Sequence, residues 1–423
     1  MPTPDAAQTA DVTAGDASAD PPERFADPAA AAAEPVTLRS IALAAFLPPA
    51  LFSVAAGAIT PVIPLTAVGL GASTALAAVV VALLGLGQLL ADPPAGSLTA
   101  RFGERSVMIG AGILCAAALL VAMLAQSLIM FAIAIFVIGM GTAVWMLARL
   151  TFVAELVPFH LRARAMSTLG GVQRIGLFIG PFLGAGAVHL TGTSGAYGVG
   201  VVAALVATVV LAGVTRRSDR TGVAAEAERA SYRHLLRTQR RVFLTVGLGV
   251  LLVSVVRSTR QVVLPLWGEH LALAPATISL IYGASGAVDM LLFYPAGRLM
   301  DMRGRAVVAV TSMIGLAAAL LLLPLTATAA TFTLAALLAG LGNGMGSGIV
   351  MTLGADLAPP GQRPAFFGIW RVISDTGTSA GPFLLAGIAA AASLGAGVLA
   401  MGGVGVLAAA AMGHWIPRYS PRR

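Results

Sequence analysis

The stretch Pro94-Ala95-Gly96-Ser97-Leu98-Thr99-Ala100-Arg101-Phe102-Gly103-Glu104-Arg105 returns 201 positions later as Pro295-Ala296-Gly297-Arg298-Leu299-Met300-Asp301-Met302-Arg303-Gly304-Arg305. Each copy is a basic segment, bounded by glycines, between two long apolar runs. Glycine accepts backbone angles that other residues resist, so each copy predicts a tight hairpin joining two helices. Arginines beside such a turn hold it on the cytoplasmic side of a membrane. Gly96, Arg101, Gly103 and Arg105 carry the first turn, and Gly297, Asp301, Gly304 and Arg305 the second.

Composition agrees with a membrane setting. The 423 residues are 58% hydrophobic and 10% charged, with a mean hydropathy of +0.90, whereas a soluble domain carries about 25% charged residues. The net charge of +8 does not indicate nucleic acid, because all 26 basic residues are arginine and most sit in short turns between apolar runs. Such placement orients a membrane protein and builds no groove for phosphates. The single cysteine, Cys115, lies within an apolar run and excludes an intrachain disulfide.

A span needs about 20 apolar residues, and twelve runs qualify. They cover 40–68, 73–95, 106–125, 128–153, 163–189, 195–214, 242–267, 274–296, 306–325, 329–354, 364–390 and 393–415. The predicted fold is an all-α integral membrane protein of twelve helices in two six-helix halves, 38–215 and 242–416. Residues 1–37 read as a disordered acidic tail with no signal-peptide pattern. Residues 216–241, with eight arginines, read as a cytoplasmic linker with an amphipathic helix around Tyr232–Arg237, and 417–423 as a second tail. Tails, linker and the turns after even-numbered runs hold 21 arginines, and the turns after odd-numbered runs hold none. Both termini are therefore expected in the cytoplasm of a cell bounded by this plasma or inner membrane.

The repeat extends far beyond the turn at the same offset. Gly139 meets Gly340, Glu155 meets Asp356, Gly176 meets Gly377, and Gly180-Pro181-Phe182-Leu183 meets Gly381-Pro382-Phe383-Leu384. Doubled turns in doubled apolar halves resemble the major facilitator superfamily of transporters, from residue 40 to 415. The resemblance implies alternating access of two halves around a central site. It implies a latch between the loop acid and a helix N-terminus of the opposite half, kept as Asp301 and replaced by Ala100 in the first copy, where Asp92 is the candidate substitute. It also makes Glu155 and Asp356 partners of the loop arginines. Gly176, Gly180-Pro181 and Gly184 in the fifth run resemble the antiporter signature of drug exporters. There, helix 5 is expected to meet the other half, although generic small-residue packing explains the same spacing. Ile135 stands where proton-coupled exporters carry an arginine, and Arg149 further along is a candidate for the gate network.

Charges inside apolar runs cost at least ~2.5 kcal/mol on insertion scales, so they mark function or pairing. Asp289 lies eight residues before Gly297, about 12 Å into the membrane, and Arg371 and Asp375 reach about 10 and 16 Å counted from Pro364. Overlapping depths allow an Asp289–Arg371–Asp375 cluster, while Arg371 and Asp375, four apart, also suffice to neutralise each other. Asp289, Asp375 and Asp92 are the candidate proton carriers. Arg174, Gln88, Arg257, Arg260, Asn343 and Arg371 are the candidate cavity residues.

No nucleotide-binding loop, hydrolytic constellation or metal-ligand spacing occurs, so neither enzyme activity nor a cofactor is expected. The expectation is proton-coupled efflux of a small amphiphilic organic compound by a monomer in the bilayer. Uptake or exchange by the same fold is the alternative, as is a receptor or scaffold that transports nothing.

Overall fold

A computed structural model of the chain describes residues 38–156, 162–213, 235–359 and 362–419. The acidic tail 1–37 and most of the arginine-rich linker lie outside the described residues. Among those residues there is no strand. Twelve helical spans follow in order: α1 (Leu38–Ile59, resumed at Ile63–Gly69), α2 (Thr74–Phe102), α3 (Glu104–Met123), α4 (Leu128–Leu156), α5 (Arg162–Thr191) and α6 (Ser194–Ala212) make the first half. The second half comprises α7 (Leu248–His270, entered through the π-helical turn Phe243–Gly247), α8 (Pro275–Arg303), α9 (Arg305–Leu322), α10 (Ala329–Met345, resumed at Ile349–Leu357), α11 (Arg363–Ala391) and α12 (Leu394–Tyr419). Eleven of them are long and apolar enough to cross a membrane. The exception is α11, which equals its neighbours in length but carries Arg371, Asp375 and a Thr376–Gly381 stretch of small and polar residues.

The hairpin turns are shorter than the sequence predicts. α2 continues through Pro93, Pro94 and Gly96 to Phe102, and α8 through Pro295 and Gly297 to Arg303. Only Gly103 (φ 80°) and Gly304 (φ 88°) turn the chain, each closing one helix and opening the next. Their left-handed backbone disfavours a Cβ, whereas Gly96 and Gly297 are ordinary helical positions. The prolines are tolerated because neighbouring helices support a locally distorted helix.

The duplication is visible atom by atom in the glycine contacts. A methyl built on Gly180 would lie 2.6 Å from Val54 O, and one on Gly381 would lie 2.5 Å from Val255 O. Gly176 abuts Ala50 and Ser53, as Gly377 abuts Leu251 and Ser254; Gly139 abuts Leu84, as Gly340 abuts Ser285. Every pair and every partner is related by the offset of 201. Even the left-handed residue Ala272 (φ 55°) is the mate of Gly71 (φ 89°). The two six-helix halves therefore share register as well as topology and are related by a pseudo-two-fold axis.

These contacts also correct the reading of the α5 glycines. Gly176, Gly180 and Gly184 face α1 of their own half, and Gly377 and Gly381 face α7 of theirs. The pattern is a close-packing seam that each half repeats, because small residues let two backbones approach where no hydrophobic force separates lipid from protein. Across the halves, α2 meets α11, with Gly85 against Ser379, and α5 meets α8, with Phe182 against Gly283.

Candidate functional site

Three helices of the second half bring the buried charges together. Arg257 and Arg260 lie one turn apart on α7, and Asp289 follows Ser285 by one turn on α8. On α10, Gly340 and Gly344 remove the side chains that would hold α8 away; a methyl on Gly344 would lie 2.7 Å from Asp289 O. α10 then breaks at Gly346–Gly348, with Gly348 left-handed at φ 88°. A broken helix exposes carbonyls that require a donor, and Arg257 supplies it: Nη1 donates to Gly346 O (3.4 Å) and Nη2 to Asn343 O (3.3 Å).

Asn343 relays between the two charge signs. Its Oδ1 accepts from Arg257 Nε at 2.8 Å and its Nδ2 donates to Asp289 Oδ2. Arginine only donates and an ionised carboxylate only accepts, so this amide orientation satisfies both neighbours. Arg260 Nη2 stands 3.7 Å from the same Oδ2, while its Nη1 donates to Ser285 Oγ at 3.0 Å, which donates onward to Ala336 O at 2.6 Å. Two atoms are left over: Arg260 Nε and Asp289 Oδ1 are buried without a hydrogen-bond partner.

Asp289 and Arg260 line a cavity of about 400 Å³ between the halves, with Gly57 of α1 and Thr60 at its break, Gln173, Arg174 and Phe178 of α5, and Tyr282, Met290 and Asn343 of the second half. A volume of this size suits a small organic molecule. Arg174 stacks on Phe293 at 3.8 Å across the α5–α8 contact. Gln88, expected in the same cavity, lines a smaller neighbouring hollow of about 60 Å³ inside the first half. At the offset of 201, Arg257, Arg260, Asp289 and Asn343 correspond to Ala56, Ile59, Gln88 and Thr142, so the ionic network belongs to one half.

Arg371 does not join Asp289. Its Nη2 meets Asp92 Oδ1 of the opposite half at 3.1 Å, and its Nε meets Asp375 Oδ2 at 3.2 Å. The reason is depth. Because α8 runs on to Arg303, Asp289 is fourteen positions from its end, about 21 Å, whereas Arg371 is eight positions into α11, about 12 Å. Asp92, ten positions before Phe102 at about 15 Å, is the acid at the matching level. Arg257 and Arg260, expected toward the outside, are the arginines level with Asp289.

At the Gly304 turn, Arg305 Nε donates to Asp356 Oδ2 at 2.9 Å, the partnership expected for this loop. Asp301 pairs with Arg305 of its own half at 3.6 Å, its side chain 77% exposed, and the expected latch to the opposite half is not its ion pair. Arg105 donates to Leu211 O and Ala212 O, capping the end of α6, and Arg101 lies over the Phe102 ring. The Glu155 side chain lies outside the described residues. Arg149 is buried, with Nη1 and Nη2 both on Gln173 Oε1 at 3.2 Å and its guanidinium over Trp145, so it braces α4 against α5 away from the loops. Sequence reasoning passed over Ser285, Tyr282 and the α10 break. The alternating glycines of Gly342-Asn343-Gly344-Met345-Gly346-Ser347-Gly348 were the available signal for the break.

Two duplicated six-helix halves enclosing a charged cavity define a multi-pass membrane transporter, not an enzyme. The model of the Major Facilitator Superfamily matches residues 45–257 and again 246–423, and the chain belongs to that family. No curated protein matches it at the level of sequence. Among solved structures it resembles a POT family transporter in complex with a thioalcohol-conjugated peptide (TM-score 0.76, 11% identity, 90% of this chain and 97% of that one). It also resembles a D-xylose–proton symporter (0.72, 18%, 91% and 99%) and the human organic anion transporter MFSD10 (0.63, 16%, 89% and 100%). At these identities the likeness concerns the fold.

Proposed function

We propose that this secondary transporter moves a small amphiphilic organic compound in a proton-coupled, alternating-access cycle, with Asp289 as the proton carrier. The observation that supports it is the carboxylate itself: it lines the cavity between the halves, one oxygen shared by Arg260 and Asn343 and the other without a partner. Protonation removes its charge, weakens the contact with Arg260 and so changes the relative free energy of the two facing states. Residues 38–215 and 242–416 are the rocking halves, joined by 216–241, and the arginine-rich end with both termini faces the cytoplasm of a plasma or inner membrane. Asp92, Arg371 and Asp375 form a clamp between α2 and α11 that opens and closes with the rocking. Export was expected from the α5 glycines; since these pack within one half, they no longer speak for a direction. The protein works as a monomer.

The test is uptake into vesicles with an imposed pH gradient, compared with substrate exchange without one. Asp289→Asn is expected to abolish the first and retain the second. Gradient-driven uptake at the wild-type rate in that variant would remove Asp289 from the proton path.

A further inference from the structure

We infer that the substrate is an organic monoanion, a carboxylate on a small amphiphilic body, and that it binds together with the proton because both compete over Arg260. The inference rests on the reading of Asp289 as the proton carrier.

The charges facing the cavity do not balance. Among the described lining residues, Arg174 and Arg260 face one carboxylate, Asp289. Arg257 stands behind them, each of its three guanidinium nitrogens already donating to Asn343 or to Gly346 at the α10 break. Among the described residues, Tyr282 of α8, Arg174 and Arg257 also interact electrostatically with Asp289. The wall around them is mixed: Leu177, Phe178, Tyr282 and Met290 are apolar or aromatic, and Thr60, Gln173, Gln261, Asn343 and Ser347 are polar.

Arg260 is the most buried of the three arginines, and its donors are only partly used. The residue is 6% exposed, yet it makes one hydrogen bond, to Ser285, and its Nε has no partner. Its contact with Asp289, at 3.7 Å, is longer than a hydrogen bond. A guanidinium carries five donors in a planar fork suited to a carboxylate. A buried fork with open donors, beside a carboxylate it does not grip, is a site that another carboxylate completes.

The coupling sign follows. While Asp289 is ionised it neutralises Arg260 and repels an incoming anion. Once protonated, it releases Arg260, and the anion takes its place. One proton and one monoanion enter, so the net charge of the cavity is unchanged. Linkage is reciprocal: lower pH strengthens anion binding, and anion binding raises proton uptake. This makes the movement of proton and substrate co-directional, and it opposes the exchange of proton for substrate expected of an exporter.

The probe is 2-naphthoate, ionised throughout pH 6 to 8, with 2-naphthamide and 2-naphthylmethylammonium as neutral and cationic counterparts, added to the purified full-length protein. Naphthoate is expected to bind about tenfold more tightly at pH 6 than at pH 8, and more tightly than either counterpart. In weakly buffered solution its addition should make the medium more alkaline, a readout that needs no variant. Asp289→Asn should bind at pH 8 as the wild type does at pH 6, with no proton uptake, and Arg260→Gln should lose naphthoate preference over the amide. Acidification on binding, or tighter binding at pH 8, would overturn co-binding while leaving Asp289 as the carrier. Preference for the cation, or no naphthoate binding at pH 6, would overturn the anion assignment. An unchanged pH dependence in Asp289→Asn would instead sink the carrier reading on which both depend.

Discussion

Arg371 of α11 holds Asp92 of α2 at 3.1 Å, an ion pair between the two halves that rocking must break and re-form. Its side chains are 46% and 23% exposed, so water screens the pair, and such contacts contribute roughly 0.2–1 kcal/mol. A gate benefits from that weakness, since a strong bond would trap one state. Asp92→Arg places two cations at the seam and is expected to slow transport about tenfold, on the order of 1.4 kcal/mol. Asp92→Arg with Arg371→Asp should recover a large part of the loss, measured as a double-mutant cycle on initial rates. Equal losses in single and double variants would show that the pair is not coupled to the cycle.

The Asn343 amide joins Arg257 to Asp289, and its removal leaves both with unmet hydrogen bonds inside the protein. Asn343→Ala is expected to cost about 1–3 kcal/mol of stability and to depress transport more than tenfold. Melting of the purified protein checks the first and initial rates the second. A variant with wild-type melting and rate would mean that water replaces the amide.

Gly180 meets the backbone of α1 at Val54 O (2.6 Å) and Ala58 N (2.7 Å). Overpacking costs about 1–3 kcal/mol where side chains can yield, and here backbone stands on the far side. Gly180→Leu should therefore reduce the amount of folded protein in the membrane, and Gly381→Leu should do the same against α7. Size-exclusion profiles and expression level are the measurements. Normal levels with stalled transport would instead place the seam between the halves.

Gly103 and Gly304 need a left-handed backbone, while Gly96 and Gly297 sit in helices with free space around them. Alanine is expected to destabilise at the first two by about 1–2 kcal/mol. At the second two it should be neutral or stabilising by up to about 1 kcal/mol, since alanine is the better helix former. Four melting curves decide it, and destabilisation by Gly96→Ala equal to that of Gly103→Ala would end the continuous-helix account of α2.

The amino-acid sequence by itself determined the twelve spans, their grouping into two halves and the register between them. Apolar run length and a constant offset are properties of the chain that any packing must respect, and the glycine contacts repeat that offset partner by partner. The charged residues of interest were also legible, because a charge within an apolar run is conspicuous. Which of them meet was not. Pairing depends on where each helix ends and which face it turns inward, and the sequence placed the end of α8 at Gly297, six residues early. Those six residues add about 9 Å of depth, enough to carry Asp289 past Arg371 to Arg260 and to leave Arg371 for Asp92. The α5 glycines tell the same story: spacing shows that one face is bare, and only the tertiary structure decides that α1 is the helix lying against it.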